Sequence, residues 1–581
     1  MILLNPKKHA RQYPDEASRQ LMLDTIEFFE SKGRGKLKKD DHERVWYQDF
    51  LDFQKEHRLF ARLLTPAQYG GGDPEYRWDT FRNCEFNEIL AFYGLQYWYT
   101  WQVTILGLGP IWISDNESVK QKTAEMLKAG GVFGFGLSEK EHGADIYSTE
   151  MLLVPQDDGT YLANGRKYYI GNGNIAALVS TLGKIKKPGE EETDKYQYFG
   201  FFVVGSKHGR YEVVKNIVNS QSFVAEYALD DYPIEEDDIL AKGRDAWDMA
   251  LNTVNIGKYN LGWGSIGICT HALYEALNHA SHRVLYGKHV TDFPHVKQLF
   301  VDAYSRLAAM KVFALRAADY IRTASVEDRR YLLYTPMVKM KVTTQGEEVI
   351  DHLWDVIAAK GFEKDMYFEM AARDIRALPK LEGTVHVNMA LIIKFMRNYF
   401  FNPGEFPEIP RVDEPRNDDF LFNQGPTKGL GGIQFHDYNA AYDAVDFPNV
   451  TLFKEQIEVF KQFLMVSAGD AETAAKQARD IGFLLAMGEL FTLVAYGQLI
   501  LEYHKLLPEE LNEDLVAQIF DFMVRDFSKY ALQIHSMSSS SAAQMELCLQ
   551  MIRKPVLDEA RYERLWQEQV YALKDVYTMN D

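Results

Sequence analysis

The chain reads Phe135-Gly136-Leu137-Ser138-Glu139-Lys140-Glu141-His142-Gly143-Ala144-Asp145 where a short apolar strand runs into a polar turn. The end of a strand presents backbone N–H groups, and Gly143 allows a ligand to approach the main chain closely. A flat, polar ligand suits such a strand end. This stretch determines how the rest of the chain is interpreted, because two later segments complete the same pattern.

The two later segments complete the pattern. Asn164-Gly165-Arg166-Lys167-Tyr168-Tyr169-Ile170-Gly171-Asn172-Gly173 begins as a hairpin turn and continues as an aromatic strand that closes in glycines. Much further on, Arg373-Asp374 is followed by Leu381-Glu382-Gly383-Thr384. Each piece alone is typical of a hairpin or a polar turn, so the interpretation depends on their order and spacing.

In this order the segments resemble the acyl-CoA dehydrogenase family, from about residue 20 to residue 398. The family's flavin-binding strand has the form Thr/Ser-Glu with Gly-x-Asp and precedes Asn-Gly-x-Lys-x-Trp-Ile-x-Asn. Its usual base is the Glu of a Glu-Gly-Thr sequence shortly after an Arg-Asp pair. The resemblance implies FAD as cofactor and α,β-desaturation of an acyl-CoA thioester to the trans-2-enoyl-CoA.

Hydrophobic periodicity divides the chain into helical and β segments. We predict an N-terminal helical domain (1–127), a central β-barrel-like domain (128–245), a four-helix bundle (246–400), a linker (401–449) and a further helical domain (450–581). The predicted fold class is α+β, mostly α. The added helical domain resembles the larger branch of the family, where it occupies the surface on which a second dimer docks. A homodimer is therefore expected.

Composition narrows the function classes. A net charge of −19 argues against non-specific nucleic-acid binding. The three cysteines are scattered and predict neither a metal site nor a disulfide framework, which fits a reducing compartment. We expect a cytoplasmic protein, or one of the mitochondrial matrix in a eukaryote.

Gly171 to Ala176 matches a dinucleotide fingerprint, but a strand follows where that motif needs a helix, so no nicotinamide cofactor is predicted.

One segment must be weighed as a membrane span. Residues 481–501 are almost all apolar and long enough to cross a bilayer. Glu489 near the middle is costly in lipid, and Gln498 also lies inside. A buried helix of a helical domain is the preferred interpretation.

The chemistry requires a base, because the α-proton of a thioester is a weak acid. A carboxylate buried beside an apolar acyl chain has its pKa raised toward the working pH. The resemblance assigns this role to Glu382. Some family members place the base at the start of the first bundle helix, before a basic residue, but that position here is Gly257, before Lys258.

The resemblance implies further roles by position. It assigns the cofactor contacts to Phe135, Leu137, Ser138, Gly143, Tyr169, Ile170, Gly171, Arg283, Asp355 and Thr384. It assigns the substrate contacts to Ala144, Asn255, Lys258 and Gly383. Several positions depart from the family pattern: Tyr169 replaces Trp, Gly171 replaces Thr or Ser, Ala144 replaces Ser, Pro294 replaces Gln, and Asp355 replaces the Gln of Gln-x-x-Gly-Gly-x-Gly.

Three functions remain open. The first is an acyl-CoA dehydrogenase that passes electrons to an electron-transfer flavoprotein. The second is an acyl-CoA oxidase that uses oxygen. The third is an alkylation-response-type flavoprotein whose C-terminal domain binds DNA. From Val450 onward there are 12 Lys/Arg and 20 Asp/Glu, and this net charge of −8 disfavours DNA binding.

The aromatic block Tyr97-Trp98-Tyr99-Thr100-Trp101 is either core or the wall of an acyl pocket. If it is a wall, it favours a short or cyclic acyl group.

Overall fold

The structure is a computed structural model that describes residues 2–8, 15–469 and 471–581. It confirms the predicted class, a mostly helical α+β protein with one central sheet. Helices precede the sheet, helices follow it, and a stretch with little regular structure separates the last group of helices from the rest.

Among the described residues, six α-helices precede the sheet. Asp15 begins the first by accepting a hydrogen bond from Ser18 N, and Asp79 does the same for the fourth through Arg82 N. The helices are α1 Glu16–Glu43, α2 Gln48–Glu56, α3 Leu59–Leu64, α4 Thr80–Tyr93, α5 Leu95–Ile113 and α6 Glu117–Lys128.

The aromatic block on α5 is divided between two roles. Tyr97, Trp98 and Trp101 are fully buried in the core, where Tyr97 packs against Phe29 and Trp101 against Phe86. Core packing is therefore confirmed for these three side chains, and only Tyr99 keeps part of its surface.

The central sheet has the strand order β6-β7-β3-β2-β4-β5-β8. Strand β1 pairs with β4 in parallel, from Phe133 opposite Leu178 to Gly136 opposite Thr181. Because β4 follows β3 without an intervening helix, rejection of the dinucleotide fingerprint is confirmed. The strands are β1 Phe133–Gly136, β2 Leu152–Pro155, β3 Tyr161–Gly171, β4 Leu178–Ile185, β5 Phe199–Val204, β6 Tyr211–Asn216, β7 Val224–Ile234 and β8 Ile239–Lys242.

A second helical group carries the loop with Glu382. Close packing of α8 depends on glycine, since a Cβ at Gly267 would lie 2.4 Å from the carbonyl oxygen of Glu88 on α4. A π-helical turn, Val338–Val342, joins α10 to α11. The elements are α7 Gly243–Gly257, α8 Asn260–His282, β9 Val284–Leu285, β10 Lys288–His289, α9 Pro294–Arg322, α10 Tyr331–Met337, α11 Thr343–Ile357, α12 Tyr367–Asp374, α13 Val385–Ile392 and α14 Met396–Phe401.

The segment predicted as a linker is fastened to the helices. Arg322 donates to the carbonyls of Val412 and Glu414, at 3.0 and 2.7 Å, and Thr80 N donates to Asp418. Helices resume after it: α15 Asn439–Tyr442, α16 Pro448–Gly469, α17 Ala471–Gln477, α18 Ile481–Leu506, α19 Glu513–His535, α20 Ala542–Met551 and α21 Glu559–Leu565.

Helix α18 is the apolar segment weighed as a membrane span. It is the one helix in the described residues long and apolar enough to cross a bilayer, and 78% of its most apolar window is buried inside the protein. Its central carboxylate, Glu489, accepts a hydrogen bond from Lys341 Nζ at 3.3 Å, so its charge is paired with a cation from the neighbouring helical segment. The interpretation as a buried helix fits this packing.

Residues 575–581, which we call the tail segment, pack against α1. Tyr577 Oη donates to Glu30 Oε1 at 2.8 Å, and Asn580 N donates to Glu30 Oε2 at 3.2 Å. Arg34 N donates to Asn580 O at 2.6 Å. Gly33 bends α1 with φ 75° and ψ 159°, which opens the helix to this segment.

A matched pair of glycine substitutions tests this docking. Gly33→Ala should lower the melting temperature, because φ is left-handed there and the new Cβ would lie 2.6 Å from Asp581 O. Left-handed backbone alone costs an alanine about 1–2 kcal/mol. Gly35→Ala, two residues away with open space around its Cβ, should instead stabilise α1 by up to about 1 kcal/mol. Equal melting temperatures for the two variants would contradict the docking.

Candidate active site

The Glu382 side chain projects from a tight loop between α12 and α13. Glu382 and Gly383 are both left-handed, with φ 53° and 90°. Asn388 Nδ2 holds the loop by donating to Gly383 O at 3.1 Å and to Thr384 O at 3.0 Å. A non-glycine residue in this backbone region is strained, so the loop is held in place by its surroundings.

Burial gives Glu382 an unusual acidity. Protein atoms crowd its carboxyl group, and this burial raises its pKa to about 7 against the opposing effects of the Gln102 hydrogen bond, Lys339 and Lys258. Gln102 Nε2 donates to Glu382 Oε2 at 2.7 Å. A carboxyl group with a pKa near 7 is poised to take up and release a proton at neutral pH.

Two buried lysines lie near this carboxyl group. Burial lowers the pKa of Lys258 to about 8 and that of Lys339 to about 7, while the charge of Glu382 acts in the opposite direction on both. Lys339 Nζ donates to Leu378 O at 2.6 Å, which ties the π-helical turn to the chain before the Glu382 loop. Lys258, predicted as a substrate contact, is thus brought into the electrostatic environment of Glu382.

The alternative base position is closed by packing. A Cβ at Gly257 would lie 2.5 Å from Leu106 Cδ2 and 3.1 Å from Gln102 Nε2. A carboxylate side chain therefore has no room at this position while Gln102 contacts Glu382.

A second set of site residues lies where β1 ends beside a bulge in β3. Ser138 Oγ donates to Tyr168 O at 2.6 Å, and Tyr168 N donates to Ser138 O at 2.9 Å. The register of β3 shifts between Lys167 and Ile170, and Tyr169 in the bulge has φ 67°. The bulge turns the Tyr169 ring outward, where 60% of the residue is exposed.

The predicted contact residues at this strand end differ in exposure and in their hydrogen bonds. The Ser138 hydroxyl hydrogen is used by Tyr168, so only the Ser138 oxygen is left to a ligand. Ile170 is fully buried in the core of the sheet, so its side chain cannot flank a bound ring. Phe135 and Leu137 are half-buried, and Gly143 and Ala144 are exposed in the loop that follows.

Packing explains the glycine at position 171. A Cβ there would lie 2.6 Å from Val103 Cγ1 and 3.0 Å from the hydroxyl oxygen of Tyr99. Tyr99 thus occupies the space of the hydroxyl side chain that the family usually has at this position. Its phenol also lies within the electric field of Glu382, which adds to the effect of burial in raising the pKa of Tyr99.

A buried ion pair joins the two motif strands. Lys167 Nζ donates to Glu139 Oε1 at 2.8 Å and to Leu137 O at 3.1 Å. Glu139 also accepts from Glu150 N at 2.8 Å and from the Thr149 hydroxyl. The pair anchors the loop after β1 to β3, and sequence analysis missed it although both residues stand in the quoted motifs.

Three predicted residues lie outside this cluster. Within the described chain, Arg283 and Asp355 are exposed and make no hydrogen bond or ion pair with the residues around Glu382. Asn255 is half-buried and donates to Gln424 Oε1 at 3.4 Å. Thr384, by contrast, is exposed directly beside Glu382 and precedes α13.

Sequence analysis missed two other members of the site. Gln102 contacts Glu382, and Asn172 Nδ2 joins α5 to β1 by donating to Thr100 O and Phe133 O, at 3.1 and 3.0 Å. The available signal was polarity: Gln102 is one of two amides in a mostly apolar and aromatic helix.

The residues present fit FAD. A large aromatic side chain held outward on a strained bulge is costly in water, and a flat ring system would cover it. The ring would be held between Tyr169, the backbone from Phe135 to Ser138, and Thr384. Tyr99 connects this strand end to Glu382, because it lies close to Gly171 and within the electric field of the Glu382 carboxyl group.

Comparisons with known proteins agree with this arrangement. The family model of the acyl-CoA dehydrogenase C-terminal domain matches residues 245–396. A short-chain-specific acyl-CoA dehydrogenase of Megasphaera elsdenii is 23% identical over 368 residues, which is 62% of this chain and 93% of the relative. The CarC subunit of the caffeyl-CoA reductase-Etf complex of Acetobacterium woodii is 22% identical over 351 residues, 59% of this chain and 88% of the relative.

A solved structure matches almost the whole length. An acyl-CoA dehydrogenase from Bacillus anthracis complexed with FAD superposes with a TM-score of 0.75 at 17% identity, covering 98% of this chain and 97% of that one. The fold is therefore shared beyond residue 400, including the last helical group. The family model and the relatives thus support the acyl-CoA dehydrogenase family for this chain, and a structural neighbour complexed with FAD is consistent with an FAD cofactor.

Proposed function

We propose that the protein oxidises the Cα–Cβ bond of an acyl-CoA thioester to the trans-2-enoyl-CoA, with Glu382 as the base. The observation that carries this proposal is the partly buried Glu382 in its strained loop, where burial raises the pKa of the carboxyl group to about 7. A carboxylate of this kind takes a carbon-bound proton more readily than a solvated one, because burial raises its basicity.

The proposed reaction divides between the chain and the cofactor. Glu382 accepts the α-proton, and the negative charge that develops on the thioester oxygen needs hydrogen-bond donors in a site with little water. Bound FAD supplies the acceptor for the β-hydrogen as hydride. Lys258 and Lys339 favour the ionised form of Glu382 before the proton arrives.

The rate of flavin reduction by an acyl-CoA should rise with pH through about 7. Only the ionised carboxylate accepts a proton, and the fraction ionised grows as pH passes the pKa. Stopped-flow measurement of flavin bleaching across this range, without oxygen, checks the expectation. A rate that is flat between about pH 6 and 8 would exclude a base of this acidity.

The electron acceptor that reoxidises the flavin is proposed to be an electron-transfer flavoprotein. The name of the CarC relative includes an Etf complex, which supports an electron-transfer flavoprotein as partner. Oxygen is the competing acceptor, as in an oxidase. Oxygen consumption measured against dye reduction after addition of acyl-CoA separates the two.

A homodimer is also proposed, with the β9–β10 hairpin in its interface. Val284 is 55% exposed and Tyr286 at the turn is 96% exposed, next to Arg283. An exposed apolar hairpin is typical of a contact with another chain. Sedimentation of the FAD-loaded protein tests this: a stable tetramer or a monomer at all concentrations would contradict it.

The preference for a short or cyclic acyl group now depends on Tyr99 alone. Tyr97, Trp98 and Trp101 lie in the core and cannot narrow an acyl pocket. A panel of acyl-CoAs added to anaerobic protein tests the preference through flavin bleaching, and best turnover on a palmitoyl thioester would refute it.

A further inference from the structure

Three buried carboxamides connect the core of the N-terminal helices to Glu382. Asn87 lies on α4, Gln102 on α5 and Asn260 at the start of α8, and each is at most 1% exposed. Asn87 Nδ2 donates to Asn260 Oδ1 at 3.0 Å, and Asn260 Nδ2 donates to Gln102 Oε1 at 2.9 Å. Gln102 Nε2 then donates to Glu382 Oε2 at 2.7 Å. We call Asn87, Asn260 and Gln102 the carboxamide relay.

Two tryptophans fix the direction of the relay. The indole N–H groups of Trp98 and Trp101 both donate to Asn87 Oδ1, at 2.9 and 3.1 Å. Since an indole nitrogen donates and does not accept, Asn87 must present its oxygen to both rings. The second hydrogen of Asn87 Nδ2 goes to Asn83 O at 2.8 Å. A rotated amide would face two N–H donors with its NH₂ group and leave buried polar groups unpaired.

The orientation of each side-chain amide in the relay fixes the orientation of the next one. Asn87 offers an N–H to Asn260, so Asn260 must turn its oxygen toward Asn87 and its NH₂ group toward Gln102. Gln102 must then accept at its oxygen, which leaves its NH₂ group for Glu382 and for Gly257 O at 3.0 Å. The links among Asn87, Asn260 and Gln102 lie in the buried interior, where water cannot supply an alternative partner, and the link to Glu382 is partly buried.

We propose that Trp98, Trp101, Asn87 and Asn260 are positioning residues that force Gln102 to offer its NH₂ group, and never its carbonyl oxygen, to Glu382. An NH₂ group stabilises the ionised carboxylate by a charge-assisted hydrogen bond. A carbonyl oxygen in its place would repel the carboxylate and favour its protonated form. The relay thus keeps Glu382 ready to accept a proton, an inference that rests on the proposed function.

Breaking the relay at its centre tests the proposal. Asn260→Leu keeps the size of the side chain but removes both links, so only Gly257 O still holds the orientation of the Gln102 amide. The midpoint of the pH profile of flavin reduction should move up by about one to two pH units, the value of a hydrogen bond to a charged group. The rate should recover at high pH. The double variant Trp98→Phe/Trp101→Phe, which removes the donors that set the direction, should shift the midpoint the same way.

Asn449→Leu is the matched control. Asn449 is 1% exposed and bonds only backbone groups of Ala517 and Val556 in the described chain. Its loss removes a buried amide of the same kind. The stability of the protein should therefore fall, and the midpoint of the pH profile of flavin reduction should stay unchanged. An unchanged midpoint in whichever of the two relay variants folds with FAD would overturn the proposal.

A second measurement separates this inference from the function on which it rests. Infrared titration follows the carboxylate band that disappears in Glu382→Gln and reports the protonation of Glu382 whether or not it is the base. A relay variant that shifts this titration upward supports the relay. If Glu382→Gln then still reduces its flavin at the wild-type rate, the proposed function fails and the relay stands.

Discussion

Glu382→Gln is expected to slow flavin reduction by acyl-CoA by about 10²–10⁴-fold or more, the usual value of general base catalysis. The amide keeps the size of the side chain and an oxygen that can accept from Gln102, but it cannot take the α-proton. Folding and FAD content should survive, because no charge has to be buried. The expected protein is yellow, binds acyl-CoA and does not bleach. Stopped-flow absorbance of the FAD-loaded variant measures this.

Glu275→Gln is the matched control for this experiment. Glu275 is also a half-buried carboxylate whose pKa burial raises, but it accepts from the backbone N–H groups of Tyr367 and Phe368. Its loss should leave flavin reduction unchanged. Near wild-type reduction in the Glu382 variant would place the base elsewhere.

Glu382→Gln should also change how the stability of the protein depends on pH. The folded pKa of Glu382 is about 7, above its ordinary 4.5, so the folded state binds more protons than the unfolded state between these values. The wild type therefore loses stability from this group as pH rises from 4.5 to 7, and Glu382→Gln should not. Melting temperatures of both proteins across this range provide the comparison.

Lys167→Met should be the most destabilising single change at the flavin strand. It leaves Glu139, 6% exposed, without its cation, and breaking one partner of a buried pair costs about 3–5 kcal/mol. The loop after β1 also loses its anchor to β3, so FAD content should fall. Scanning calorimetry and the absorbance ratio of flavin to protein measure the two effects.

Two further variants make this test specific. Lys242→Met removes the cation of a pair with Glu236 on the exposed side of the same sheet, where the expected cost is about 0–1 kcal/mol. Glu139→Gln combined with Lys167→Met removes the stranded charge and should recover part of the stability. A Lys167 variant as stable as the Lys242 variant would show that the pair does not support the strand.

Periodicity and motif order predicted the fold class and the loop with Glu382, because both signals are local in the chain. The relay could not be predicted in this way. Asn87, Gln102 and Asn260 come from three helices, and only packing brings their amides into contact. Each looks in the sequence like an isolated polar residue in a buried helix.

The aromatic block and the linker show the same limit. Four neighbouring aromatics cannot reveal which of them faces a site, and in the structure Tyr99 alone of the four keeps part of its surface exposed. Proline and glycine predicted a linker over residues 401–449. They could not show that Arg316 and Arg322 on α9 bind its carbonyl groups, an interaction between segments about ninety residues apart.

The tail segment has a consequence for how the protein is made. Glu30 is synthesised 550 residues before its partner Asn580, so α1 leaves the ribosome with only Lys7 and Tyr93 available to its carboxylate, long before Tyr577 and Asn580 exist. During translation the face of α1 around Gly33 must stay open to solvent or be shielded by a chaperone. Synthesis halted before Tyr577 would therefore yield a nascent chain whose earliest helix is still sensitive to protease, although every helix around Glu382 has already emerged.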